Sequence, residues 1–113
     1  MGKVEELTNE LAAAILDSEE YYMFRLCEAK LKRRPDLYRT VNEMRAQNFE
    51  LQNTDGIVDM YEATEALRLK YQDIREVPLV KEYLLAEVSL GKMIREIYFE
   101  LVKEIDFDMS FLR

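Results

Sequence analysis

Apolar residues recur at helical spacing along most of the chain. In the first stretch they are Val4, Leu7, Leu11, Ala14 and Ile15. Steps of three or four residues place them on one side of a helix, so an amphipathic helix is predicted over residues 4–15. The pattern stops at Asp17, and Ser18 followed by two glutamates is typical of the start of a new helix. A second helix is therefore predicted from Ser18 to the basic run at residues 30–34.

The two prolines, Pro35 and Pro78, each precede a helix-like run. Proline disrupts a helix interior but fits the first turn, where its missing N–H leaves no bond unmade. Cations suited to a helix end precede Pro35, and the apolar pattern that ends at Ile74 precedes Pro78. The polar residues of the two stretches do not align, so both prolines are predicted to start helices rather than to mark a duplicated unit.

One turn-forming cluster, residues 53–56, divides the middle of the chain. Helices are therefore predicted over about residues 35–52, 57–75 and 78–105, the last being the longest. With few glycines and prolines, the chain is predicted to be all-α, a bundle of four to five helices with a long C-terminal helix. A length of 113 residues predicts a single helical domain, 1–113.

Charge and hydropathy narrow the classes of partner. The net charge is −7, which opposes direct binding to nucleic acid or to an anionic membrane. The basic run at residues 30–34 suggests an RNA contact, but cations that stabilise a helix C-terminus explain it better in an acidic chain. No apolar run approaches the roughly 20 residues that span a bilayer, and the acidic N-terminus does not read as a signal sequence. A cytoplasmic location is expected.

The missing residue types argue against catalysis. The chain has no histidine and one cysteine, Cys27, which excludes the common histidine-dependent nucleophile systems and most zinc sites. Cys27 is predicted to be a small buried side chain rather than a redox site. No glycine-rich phosphate loop is present. We expect no enzyme activity, no metal and no cofactor.

Glu87 stands out on the last helix because it lies in the middle of that helix's apolar face. A buried carboxylate needs a partner. The helix starting at Pro35 offers Arg45 and Asn48 on its own apolar face, and tyrosine hydroxyls are further candidates. The sequence therefore predicts a buried polar clamp of Glu87, Arg45 and Asn48; contact of Glu87 with a ligand or a partner protein is the alternative.

The apolar arc of the last helix spans on the order of 200°, more than one neighbouring helix covers. Either this helix is central to its own bundle or it also forms a subunit interface. A short apolar and aromatic tail follows it. The candidate interface residues are Tyr83, Tyr98, Phe107, Met109, Phe111 and Leu112.

Two stretches resemble the YlbF/YmcA family of small helical bacterial regulators. The first is Ser18-Glu19-Glu20-Tyr21, followed by Ala29 and the Pro35 helix. The second runs from Pro78 through Tyr83 to the pair Ala86-Glu87 and the Ile-rich continuation. The resemblance covers roughly residues 4–106.

The resemblance implies a non-catalytic regulatory adaptor that acts through protein–protein contacts. Its relatives assist ribonuclease Y in mRNA processing and influence bacterial development: competence, sporulation and biofilm formation. A homo- or hetero-oligomer with related helical proteins, and ribonuclease Y itself, are the implied partners. Some relatives bind an iron–sulfur cluster through several cysteines, but residues 106–113 contain none, so that cofactor is not carried over.

Two other functions remain open at this stage. One is a structural or chaperone-like helical oligomer with unrelated partners. The other is an enzyme that uses carboxylates such as Glu87. The absence of histidine, and of a second acid beside Glu87 on its face, weighs against the enzyme.

Overall fold

The helices fall where proline, serine and the hydrophobic periodicity place them. The computed structural model describes residues 2–54, 56 and 59–106. Within them lie six helices and no strand: α1 Lys3–Leu16, α2 Glu19–Lys32, α3 Pro35–Asn53, α4 Met60–Lys70, α5 Gln72–Arg75 and α6 Pro78–Glu104. The predicted all-α class and the long C-terminal helix are confirmed. No helix among these residues is both long and apolar enough to cross a bilayer.

Both prolines stand at the first position of a helix, as predicted. α3 begins at Pro35, and the Tyr38 N–H donates to the carbonyl of Arg34 at 2.9 Å, which closes the first turn. α6 begins at Pro78, where the Lys81 N–H donates to the Val77 carbonyl at 2.9 Å. The missing N–H of proline therefore leaves no helical bond unmade.

Ser18 caps the start of α2. Its Oγ accepts a hydrogen bond from the Tyr21 N–H at 3.2 Å, and its hydroxyl donates to the Ile15 carbonyl at 2.6 Å. One side chain thus serves the end of α1 and the start of α2, where free backbone groups need partners.

The helix predicted over 57–75 is broken at Tyr71. This residue leaves the helical conformation (φ −111°, ψ 17°), ends α4 and precedes the single turn of α5. The Nη1 of Arg75 donates to the Arg68 carbonyl at 3.2 Å, so α5 folds back on the end of α4. No glycine or proline lies at this break, so the hydrophobic periodicity predicted one continuous helix.

The chain divides into two compact units. Unit 2, Leu26–Leu84, contains the end of α2, then α3, α4, α5 and the start of α6; α3 lies against α4 and α5. Its buried side chains come from α2, α3, α6 and Tyr71, while α4 and α5 contribute none. They are Cys27, Leu31, Val41, Met44, Tyr71, Val80 and Tyr83. Most of the well-buried apolar residues among those that the structure describes therefore lie in this unit.

Unit 1 joins two segments, Met1–Arg25 and Leu85–Arg113. It contains α1, the start of α2 and most of α6. Among its described residues only Ala86 is a buried apolar residue, and α1 buries none of its side chains. Unit 1 thus has amphipathic helices with little covered apolar surface.

Candidate functional site

Glu87 lies in unit 1, on α6. Its side chain is half-buried, and its Oε2 is inaccessible to solvent. The sequence placed Glu87 in the middle of the apolar face and predicted a buried carboxylate, whereas the structure covers this side chain only in part. A carboxylate oxygen removed from water needs compensation from nearby polar groups.

The other two members of the predicted clamp lie in unit 2, on α3. Arg45 is exposed: its Nη1 donates to Oδ1 of Asn42 at 3.1 Å, and its guanidinium carbon lies 5.6 Å from the centre of the Tyr83 ring. Such cation–π contacts stabilise by about 0.5–1 kcal/mol at exposed sites. Asn48 is half-buried. The pairing of Glu87 with Arg45 or Asn48 stays a prediction.

The predicted interface residues differ in exposure. Tyr83 is buried, whereas Tyr98 is exposed and meets the ring of Phe99 edge-on, with ring centres 5.5 Å apart. Of these two tyrosines, Tyr98 is therefore the one that is accessible to a partner protein. The remaining four, Phe107, Met109, Phe111 and Leu112, lie outside the described residues.

α6 exposes large apolar side chains on two opposite sides. One side, here called the Val88 face, holds Leu85, Val88 and Phe99, each 58–67% exposed. The other, the Ile94 face, holds Ile94, Tyr98 and Leu101, together with Ile105 directly after the end of α6, each 46–67% exposed. At about 100° per residue the two faces lie roughly half a turn apart. The broad apolar arc read from the sequence is therefore only partly covered.

α1 adds a third exposed apolar surface that sequence reasoning treated only as a helix signal. The α1 face consists of Val4, Leu7 and Leu11, which are 38–80% exposed. The spacing of these residues reveals the amphipathic helix, but whether another part of the chain covers it depends on tertiary structure. Exposed apolar patches of this kind mark sites of protein contact.

The acidic side chains, Cys27 and the shifted pKa values bear on whether the described residues could bind a metal or catalyse a reaction. No three Asp, Glu or Cys side chains there are grouped to hold a metal ion, and Cys27 is buried. A surface pair on α4, Glu65 and Arg68, has clearly shifted pKa values. The Arg68 side chain donates to Oε1 of Glu65, which lowers the pKa of that carboxyl and raises the pKa of the guanidinium. A hydrogen-bonded surface pair accounts for these shifts without an active site.

Two open grooves are also present. One of about 300 Å³ lies between α3 and α4 in unit 2, lined by Gln47, Glu50, Leu51, Thr54, Ala63 and Leu67. The other, of about 340 Å³, runs along α6 in unit 1, lined by Met93, Glu96, Ile97, Glu100 and Leu101. Both are shallow and mix carboxylates with aliphatic side chains. Neither has the convergent polar groups of a small-molecule site.

Comparison with known proteins gives one family and two relatives. The family described as "Control of competence regulator ComK, YlbF/YmcA" matches residues 4–106. The UPF0342 protein of Caldicellulosiruptor bescii is 28% identical over 109 residues, covering 95% of this chain and 92% of that protein. The UPF0342 protein of Symbiobacterium thermophilum is 27% identical over 105 residues, covering 91% and 94%. No solved structure matches the chain.

Proposed function

Because the chain belongs to the YlbF/YmcA family, we propose that it is a non-catalytic regulatory adaptor that acts through protein–protein contacts. The family's description, control of a competence regulator, supports a regulatory role. The absence of a grouped metal-ligand set among the described residues is compatible with this role but does not carry it.

The observation that carries the proposal is the apolar surface of unit 1. Large aliphatic and aromatic side chains stand exposed on both sides of α6 and along α1. Protein interfaces are enriched in aromatic residues and methionine at their centre, and large exposed apolar patches are uncommon on monomers. An adaptor needs such surfaces, whereas a small-molecule enzyme needs an enclosed pocket.

The partner proposed for the Val88 face is another protein of the same regulatory system. By family resemblance, the candidates are related helical proteins and ribonuclease Y, in cytoplasmic mRNA processing that bears on bacterial development. Phe99 is the aromatic member of this face and lies about three helical turns beyond Val88 on α6. Aromatic anchors of this kind dominate the binding energy of many interfaces.

The test is affinity capture from the native bacterium, using the tagged full chain as bait. The Val88-face variant carries Val88→Ser with Phe99→Ser. The control variant carries Tyr61→Ser with Leu69→Ser, two exposed residues of α4 in unit 2. All four side chains are largely solvated, so both variants should keep the helicity of the wild type by circular dichroism.

We expect the wild type and the α4 control to enrich the same few proteins and the Val88-face variant to lose them. Transcripts that depend on ribonuclease Y should then change when the gene carries the Val88-face substitutions. Equal capture by all three baits would contradict the assignment of the Val88 face. Capture of no protein by the wild type, with recovery of the chain itself only, would favour the structural oligomer over the adaptor.

A further inference from the structure

A group of basic side chains surrounds the turn between α2 and α3 in unit 2. This group, here called the basic turn, consists of Lys30, Lys32, Arg33, Arg34 and Arg39. All five are exposed to solvent. Each lies within two helical turns of the α2–α3 junction, so their backbone positions lie within roughly 10 Å of it.

The basic turn has the opposite charge to the rest of the chain. Residues 30–39 contain these five cations and one acid, Asp36, which gives a local net charge of +4. Because the whole chain has a net charge of −7, all other residues together carry −11. A cluster of one sign on a protein creates a local field that attracts ligands of the opposite sign.

Helix stability explains only part of this group. Lys30 and Lys32 lie in the last turn of α2, where cations complement the helix dipole. Arg34 lies instead at the N-cap of α3, where the dipole disfavours a cation and Ser, Thr, Asp or Asn is preferred. Its side chain makes no capping hydrogen bond, and Arg39 lies in the second turn of α3 rather than at a helix C-terminus. Residues that depart from local structural preference are expected at functional sites.

The chain's own acids neutralise the basic turn only in part. Three carboxylates approach its cations at 3.9–4.0 Å, which is longer than a hydrogen bond: those of Glu28, Asp36 and Glu82. Among the residues that the structure describes, Arg33 and Arg39 form no ion pair. Exposed ion pairs of this kind stabilise a fold very little, so carboxylates of a partner can displace them readily.

We propose that the basic turn binds an acidic segment of a partner protein, a run of about four to six aspartates and glutamates. At roughly 3.3 Å per residue such a segment is about 13–20 Å long when extended, which matches the extent of the five cations. Arginine can hold a carboxylate through two parallel N–H donors. The inference goes beyond the proposed adaptor role, since the Val88 face lies in unit 1 and the basic turn lies in unit 2.

Single-stranded RNA fits the basic turn less well than an acidic segment does. Surfaces that bind such RNA combine cations with aromatic side chains on which the bases stack. Tyr38 is the aromatic residue within 30–39; it is half-buried, and the Nζ of Lys32 lies 5.5 Å from the centre of its ring. That ring face is therefore occupied, and the acidic remainder of the chain repels a longer polyanion.

The experiment is a titration of the isotope-labelled full chain with a hexaglutamate peptide, followed by the NMR shifts of its backbone amides. A hexaglutamine peptide and a uridine hexanucleotide serve as comparison ligands. Each titration is run at about 50 mM and about 300 mM salt, because screening weakens contacts between exposed charges.

Three variants accompany the wild type. The basic-turn variant carries Arg33→Gln with Arg39→Gln. The control carries Lys92→Gln with Arg95→Gln, two exposed cations of α6, so both variants have the same net charge. Arg34→Asn tests the N-cap position separately. Circular dichroism checks that each variant keeps its helix content.

We expect hexaglutamate to shift the amides of residues 30–39 and to bind more tightly than either comparison ligand, with weaker binding at the higher salt. The basic-turn variant should raise the dissociation constant of the peptide about 5–10-fold, since each exposed charge pair contributes modestly, while the α6 control should stay within about two-fold. Arg34→Asn should weaken peptide binding without lowering the melting temperature, because asparagine is favoured at an N-cap.

Three outcomes of the titrations would overturn the inference: equal binding of hexaglutamine and hexaglutamate, equal losses for the two double variants, or tighter binding of the RNA. An Arg34→Asn variant that melts at a lower temperature and binds the peptide unchanged would also overturn it, because the cation would then serve the stability of α3. The Val88-face variant should bind the peptide like the wild type. Failure of protein capture therefore counts against the adaptor alone, and failure of peptide binding against the basic turn alone.

Discussion

Replacing Leu31 by alanine should lower the free energy of unfolding by about 3–4 kcal/mol. Leu31 lies on α2 in unit 2, and its side chain is 0% exposed, among the most deeply buried of the chain. The substitution removes three carbon groups from the core, about 2.4 kcal/mol of transfer free energy at roughly 0.8 kcal/mol each. A residual void of roughly 50 Å³ adds about 1 kcal/mol at roughly 24 cal/mol per Å³.

The matched control is Leu69→Ala on α4 in the same unit, where the side chain is 56% exposed. It removes the same atoms and substitutes the same residue type, so helix propensity changes equally in both variants. Because the side chain is already half-solvated and leaves no enclosed void, the expected loss is below about 1 kcal/mol.

Urea unfolding followed by circular dichroism gives both values, at one low protein concentration because self-association would add a concentration-dependent term. At roughly 3–6 °C per kcal/mol for a chain of this size, Leu31→Ala should also lower the melting temperature by roughly 10–20 °C. Equal losses for the two variants would refute the reasoning, since they would mean that burial in unit 2 does not determine stability.

Three further substitutions test local features. Ser18→Ala removes the cap of α2 and should lower the free energy of unfolding by about 0.5–2 kcal/mol, whereas Ser18→Asp should retain most of it; an equal loss for both in thermal unfolding would reject the cap. Glu87→Gln should have nearly the wild type's free energy of unfolding, while Glu87→Ala should lower it by about 1–3 kcal/mol, because it removes a carboxylate whose Oε2 is inaccessible to solvent. If the alanine variant unfolds like the wild type but no longer captures proteins, Glu87 belongs to a recognition surface. Glu65→Gln removes a carboxylate whose pKa Arg68 lowers, so the wild type should be slightly more stable than the variant at neutral pH, and this difference should vanish as the carboxylate is protonated at low pH. The same difference in urea midpoint between wild type and variant at pH 7 and at pH 3 would contradict this.

Local chemistry in the sequence was sufficient to place most helices. Pro35, Pro78 and Ser18 act through their own backbone or side-chain groups, so their effects do not depend on distant residues. The break at Tyr71 was missed for the opposite reason. The apolar spacing continues from Leu67 through Tyr71 to Ile74, and only the fold of α5 against α3 and α4 interrupts the helix.

The candidate site could be predicted less completely than the fold. The spacing of residues along the last helix was sufficient to predict the broad apolar arc of α6 and the unusual position of Glu87, because both follow from residue order along one helix. Which parts of an apolar face are covered depends on the tertiary arrangement. The exposure of α1 and the burial of Tyr83 are therefore structural findings that periodicity alone does not contain.

The lack of buried side chains on α1 has a consequence for its backbone amides. α1 has 14 residues, no side-chain cap at Gly2 and an aspartate at its C-terminal end, and isolated helices of this length are marginal in water. Its amide protons should therefore exchange with deuterium through local opening well before those of α3. Raising the protein concentration should slow exchange across Lys3–Leu16 if a second molecule covers the α1 face, while exchange in α3 stays unchanged. The rate of amide exchange in α1 would then report whether the chain is monomeric or associated.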